Sequence, residues 1–182
     1  MRNTIWAMIA LALTACTPMP GTEAPSGRQQ AAVAPMPPPP QEMPARITLD
    51  YRSWGVLRYY FDIASDGTGT FRYAEKGGSF YEPQIVTRQV AITRDQYARL
   101  VAKLAPAYGY AASPAGLECE RRMTDAPYGD LTFARESGPS ELRFDIGCFS
   151  DHSATVYDSI HAAIEMVERL TADQPETART RP

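Results

Sequence analysis

Apolar residues recur at every second position through much of the chain. Ile47, Leu49 and Tyr51 alternate with polar residues, and Leu57, Tyr59, Phe61 and Ile63 do so against Arg58, Tyr60 and Asp62. A period of two sends one set to a buried strand face and the other to the opposite face. Ser65-Asp66-Gly67-Thr68-Gly69 follows with residues that accept positive φ, and Phe71 and Tyr73 resume the alternation, which predicts a hairpin. Val86, Val90 and Ile92 predict another strand, its apolar face interrupted by Arg88. Thr93-Arg94-Asp95-Gln96 has the form of a capping box, and Tyr97, Leu100, Val101 and Leu104 then fall at helical spacing until Pro106, which is expected to end the helix. Leu131 and Phe133, then Leu142, Phe144 and Ile146, form two alternating runs joined through Glu136-Ser137-Gly138-Pro139-Ser140, a second hairpin. From about Ser153 a helix carries Val156, Ile160, Ala163, Ile164, Val167 and Leu170 on one face, with Asp158, His161, Glu165 and Glu168 outward. The predicted fold class is α+β: an antiparallel sheet of about five to six strands, in the order strands, helix, hairpin, helix, with two helices packed on it.

These elements occupy residues 45–172, one domain. Within them, the stretch between Pro106 and Tyr128 is rich in Ala, Gly, Pro and Tyr and lacks a sustained period, so it reads as a long loop that needs pinning. Ahead of the domain the chain changes character. Pro18, Pro20, Pro25, Pro35, Pro37, Pro38, Pro39, Pro40 and Pro44 are interspersed with Ala, Gly, Gln and Met. Proline fixes φ and lacks an N–H, so residues 16–44 are expected to comprise Cys16 and a disordered, extended linker that from Thr17 to Pro44 reaches at most about 85 Å at roughly 3.1 Å per residue. Residues 173–182 are polar, end in Arg179, Arg181 and Pro182, and are expected to be a disordered tail.

The first residues carry an address. After Arg2, an apolar run over residues 5–13 is too short to span a bilayer as a helix, and small residues follow it. Leu13-Thr14-Ala15-Cys16 resembles the lipobox of bacterial lipoproteins. The resemblance implies removal of residues 1–15 as a signal peptide and acylation of Cys16, whose several chains, at about 0.8 kcal/mol per buried CH₂, anchor far more firmly than one. The competing reading is an ordinary secretory signal with an incidental cysteine. Thr17 stands where an aspartate, by the same resemblance, would retain the protein at the inner membrane, so the expected location is the outer membrane, facing the periplasm.

Charge and chemistry-bearing residues narrow the function. A formal net charge of −3 argues against nucleic acid as a partner, and Arg121-Arg122, the only adjacent basic pair, reads as a solvated loop. With Cys16 committed to lipid, Cys119 and Cys148 remain as a pair in a compartment that permits oxidation, and a disulfide between them would close a loop of about 30 residues, worth roughly 3.6 kcal/mol on the loop-entropy model. The alternative makes Cys148 a nucleophile with His152 or His161 as its base, but no third, orienting residue is indicated. Asp158, His161 and Glu165 share a helix face and are chemically able to ligate a metal; a charged face opposite an apolar stripe is ordinarily solvated, so no metal is expected. Gly67-Thr68-Gly69 lacks the third glycine and strand-to-helix setting of a dinucleotide loop, and no Gly-x-Ser-x-Gly is present. No catalytic residue and no cofactor is assigned.

Asp66-Gly67-Thr68 at a strand end, the segment from Ile92 to Gln96 opening a helix, Thr124-Asp125-Ala126-Pro127 before a hairpin and the closing amphipathic helix together resemble an uncharacterised family of small bacterial envelope lipoproteins. The resemblance implies an α+β domain at the cell envelope and no particular activity. Members of that family carry a Cys-Pro pair before the first long strand, where this chain has Ser53-Trp54-Gly55. Two functional classes follow. One is a non-enzymatic lipoprotein whose tethered domain binds another envelope protein or the cell wall, with Trp54, Tyr60, Phe80 and Tyr81 as the candidate contact patch. The other is a cell-wall-directed hydrolase or transferase, and the poverty of catalytic groups favours the first.

Overall fold

A computed structural model describes residues 33–181. The signal segment 1–15, Cys16 and the first half of the proline-rich tract lie outside the described residues. The chain runs through β1 (Arg46–Ser53), β2 (Val56–Ala64), β3 (Thr68–Ala74) and β4 (Ile85–Ala91), then α1 (Arg94–Lys103) and α2 (Ala105–Ala112). It continues through β5 (Arg121–Arg122), β6 (Tyr128–Ala134), β7 (Ser140–Asp145), β8 (Cys148–Phe149), α3 (Ser153–Thr171) and β9 (Glu176–Thr180). Seven strands form one sheet in the order β7-β6-β1-β2-β3-β4-β9, and β5 pairs with β8 in a separate ribbon. All pairings are antiparallel. The architecture is the α+β class read from the sequence, with one strand and one helix more than expected in the main layers.

The period-two residues pair across strands as the alternation requires. Ile47 lies opposite Ile63 and Phe133, and Leu49 opposite Phe61 and Leu131. All six are completely buried. Tyr97, Leu100 and Leu104 of the first helical segment and Val156, Ile160, Ala163 and Val167 of α3 complete the same core. Fully burying a side chain of this size stabilises by about 1.5–3 kcal/mol, so this interleaved face is the main driver of folding. At α1 the capping box forms as read: Gln96 N–H donates to Thr93 Oγ1 at 3.1 Å, and Thr93 N–H to Gln96 Oε1 at 2.7 Å.

Four expectations need correction. Pro106 does not end the helical region; it stands in the first turn of α2, where no backbone donor is needed. This helix escaped the periodicity test because Ala107, Tyr108, Gly109 and Tyr110 are consecutive and all buried, leaving no polar stripe. Leu57 does not share the inner face with Tyr59 and Phe61. A bulge shifts the register so that Tyr51 faces Tyr59 while Arg52 faces Leu57, which moves Leu57 to the outer face. Arg88 does lie on the inner face, and there it donates to the carbonyls of Thr171 (3.0 Å), Ala172 and Gln174 (3.2 Å) at the end of α3. A cation at the negative end of a helix dipole, satisfying free carbonyls, explains its place among apolar neighbours.

The remaining two corrections concern the ends of the domain. The tail expected to be disordered adds β9 to the edge of β4, with Ile85 opposite Thr180 and Val86 opposite Arg179. All five of its side chains are exposed, so backbone hydrogen bonds hold it rather than any apolar face. Arg179 reinforces it through Glu75 (2.6 Å) and Glu176 (2.8 Å). The described part of the proline-rich linker, residues 33–44, likewise lies on the domain, packed against α2 as a strap. Tyr108 Oη donates to the Glu42 carbonyl at 2.9 Å, and Tyr97 Oη to that of Pro44 at 2.8 Å. The Glu42 carboxylate accepts from Ser137 Oγ at 2.6 Å and from Glu136 N–H at 2.8 Å. Buried α2 needs a cover on its outer side, and the strap supplies it.

Cys119 and Cys148 lie at disulfide distance, with Cα atoms 5.2 Å apart. The bond fastens the segment after α2 to β8, where Arg122 pairs with Cys148.

Candidate binding site on the open face of the sheet

The helices cover one face of the sheet. The other displays the polar residues of each alternating strand. Along it, Arg46 pairs with Asp62, Arg52 with Asp50, and Arg143 with both Asp130 and Glu141. Such solvent-facing pairs contribute little stability, about 0–1 kcal/mol each, but they neutralise one another and fix side-chain positions. Arg52 is the most constrained. Its Nε and Nη2 donate to the two Asp50 carboxylate oxygens at 2.7 and 2.9 Å, and its Nη1 to the Gly55 carbonyl at 3.2 Å. That clamp holds the guanidinium firmly protonated, raising its pKa above the ordinary value.

Beside the clamp is a groove of about 400 Å³. Asp50, Arg52 and Arg72 supply its charged lining, Tyr60 and Tyr81 its aromatic lining, and Val56, Leu57 and Ile85 its apolar lining, with Gly55 and Thr180 beside them. The bulge that displaced Leu57 and the edge strand that carries Thr180 are therefore both used here. Burial first, then the nearby Asp62 carboxylate, raises the Tyr60 phenol above its usual pKa, so at neutral pH it is an uncharged donor. Arg72 lies opposite Tyr60 on the neighbouring strand, with its guanidinium 5.8 Å from that ring. It is half-buried, and it makes no hydrogen bond or ion pair among the described residues.

No family model, curated protein or solved structure matches the chain.

The four aromatics singled out from sequence are divided by the fold. Tyr60 and Tyr81 meet at the groove. Phe80 packs edge-on against Tyr81 with centroids 5.2 Å apart, and the Arg58 guanidinium lies 3.6 Å above its ring. Trp54 is 57% exposed and turned instead toward a second concavity of about 300 Å³ with Met123 and Tyr128. It occupies the two-residue turn between β1 and β2, where Trp54 has φ 54° and Gly55 φ 77°. Tight hairpins favour this left-handed geometry, but a bulky residue in it is strained. The sequence missed Asp50, Arg52, Arg72 and Leu57. The period-two pattern marked the outer face as polar, yet only the pairing register identifies which of its charges remain unpaired.

The other candidate chemical groups are occupied structurally. Cys148 is buried and bonded to Cys119. His152 Nε2 is 2.6 Å from the Ala34 carbonyl, and His161 Nε2 is 3.1 Å from Tyr51 Oη. Glu165 faces Arg169 at 3.7 Å. Among the described residues no three His, Cys, Asp or Glu side chains converge to hold a metal ion, and no helix is long and apolar enough to cross a membrane.

Proposed function

We propose that this chain is a lipid-anchored bacterial envelope protein, attached through Cys16 and facing the periplasm from the outer membrane, whose α+β domain is a non-catalytic binding module. The observation that carries the anchoring is Leu13-Thr14-Ala15-Cys16 placed between a short apolar run and a proline-rich spacer. The open sheet face supports the binding role: its groove combines aromatic, apolar and charged lining residues, the mixture from which binding sites are built. Its partner is another envelope protein or the cell wall. Residues 34–44 are held on the domain by Tyr97, Tyr108, Ser137 and His152.

Two measurements test the proposal. Cys16→Ser should move the protein from the membrane to the soluble fraction on cell fractionation; continued sedimentation with membranes would refute the lipid anchor. A photo-crosslinking amino acid at position 81 should capture a discrete envelope component in intact cells, whereas one at exposed Arg99 on the helical side should not. Equal labelling from both positions would refute the open face as the binding surface.

A further inference from the structure

We infer that the groove on the open face takes a monocarboxylate carried on a compact apolar body, with Arg72 as its anchor; the inference rests on the reading of this face as the binding surface. The charge balance of the groove selects the anion. Arg52 directs its guanidinium to Asp50 and Gly55, so the Arg52–Asp50 pair is electrically neutral. Arg72 is left as one uncompensated positive charge with a planar fork of donors and no acceptor among the described residues. A guanidinium of this kind recognises planar oxyanions bidentately. The excess is a single charge, and the Asp50 carboxylate shares the groove, so a dianion such as a phosphate monoester would meet repulsion that a carboxylate avoids.

The lining selects the body. Tyr60, Tyr81, Leu57 and Ile85 all line the groove, offering contact for an aliphatic or aromatic group next to the anion. Tyr60 stays protonated at neutral pH and is available to donate to the same carboxylate. A volume of about 400 Å³ accommodates one or two amino-acid residues and not a folded segment. The ligand chemistry is therefore that of a free peptide C-terminus or an acylated amino acid.

The test is a titration of the ¹⁵N-labelled full-length protein in detergent with N-acetyl-L-phenylalanine, its carboxamide, and phenyl phosphate. The acid should shift the amide signals of Leu57, Tyr60, Arg72 and Thr180 saturably. The carboxamide, and the acid added to Arg72→Gln, should each bind at least about tenfold more weakly, while Arg72→Lys keeps an intermediate affinity because it retains charge without the fork. The Arg72→Gln spectrum must otherwise overlay on the parent, which separates loss of the anchor from loss of the fold; a collapsed spectrum would instead make Arg72 structural and overturn the assignment. Equal binding of acid and carboxamide, undiminished binding by Arg72→Gln, tighter binding of phenyl phosphate, or no shift at these residues would also overturn it. Position-81 crosslinks in cells that survive Arg72→Gln at parental yield would refute the anchor and leave the binding face standing. Their absence in the parent protein would remove the face itself.

Discussion

Gly109 is the point at which the strap and the helix beneath it can be separated by one methyl group. A Cβ on this residue would lie 2.2 Å from the Pro37 carbonyl oxygen and 3.1 Å from its carbon, both backbone atoms that no rotamer change can move aside. Gly109→Ala therefore has two opposed effects. Within α2 the substitution favours the helix by about 1 kcal/mol. Against the strap it forces residues near Pro37 to lift, which breaks the hydrogen bond between His152 and Ala34, worth about 1 kcal/mol net, and uncovers part of the helix. The contacts of Glu42 and Pro44 lie downstream and can persist. The two terms nearly cancel in the intact protein, so its urea midpoint should hardly change or should fall slightly. In a chain beginning at Gln41 only the helix term remains, and Gly109→Ala should raise stability by about 1 kcal/mol. The difference between the two backgrounds, about 1–2 kcal/mol, is the coupling between residue 109 and the strap. Urea unfolding followed by far-ultraviolet circular dichroism measures all four proteins. Proteolysis should also cut the strap of the intact Gly109→Ala protein faster than that of its parent. Equal shifts in the two backgrounds would show that the strap does not rest on Gly109.

Two further predictions address the covalent and acid-sensitive ties. Removing the link between Cys119 and Cys148, which are 29 residues apart, should destabilise the domain by about 3.6 kcal/mol, with Cys119→Ser, Cys148→Ser and chemical reduction giving similar urea midpoints; two free thiols in unreduced, denatured protein would refute the bond. Glu42 accepts from the Ser137 hydroxyl and from the Glu136 and Ser137 amides, and these bonds hold its carboxyl below the ordinary value of 4.5. A depressed carboxyl stabilises above its unfolded pKa and loses that contribution as the pH falls through the folded one. The stability difference between the parent and Glu42→Gln should therefore be larger at pH 6 than at pH 3, and a pH-independent difference would refute the assignment.

The legible part of this fold is the part governed by burial on one side. Ile47, Leu49, Phe61 and Ile63 announce a sheet because water lies on the other face, and Val156, Ile160 and Val167 announce a helix for the same reason. Where that asymmetry fails, the pattern is silent. Helix α2 is buried all round, with core on one side and strap on the other, so it has no stripe to read. Strand β9 is exposed all round and is held by its backbone, so it has no stripe either. Leu57 misleads because a bulge, invisible in the spacing, transfers it between faces. Arg88 breaks the apolar alternation of β4 for a reason 83 residues away, at the carbonyl end of α3.

The groove obeys the same distinction. Tyr60 was readable as a candidate contact because an aromatic on the polar face of a strand is conspicuous by itself. Arg72 was not, since an arginine between Phe71 and Tyr73 looks like any outward charge of a strand. What distinguishes it is subtraction across strands. Arg46 is matched by Asp62, Arg52 by Asp50, and Arg143 by Asp130 and Glu141, while the register sets Arg72 opposite a tyrosine. An unmatched cation is a property of the pairing and not of the residue. The same register that closes the other pairs directs one guanidinium into an aromatic-lined groove, where a ligand can supply the missing anion.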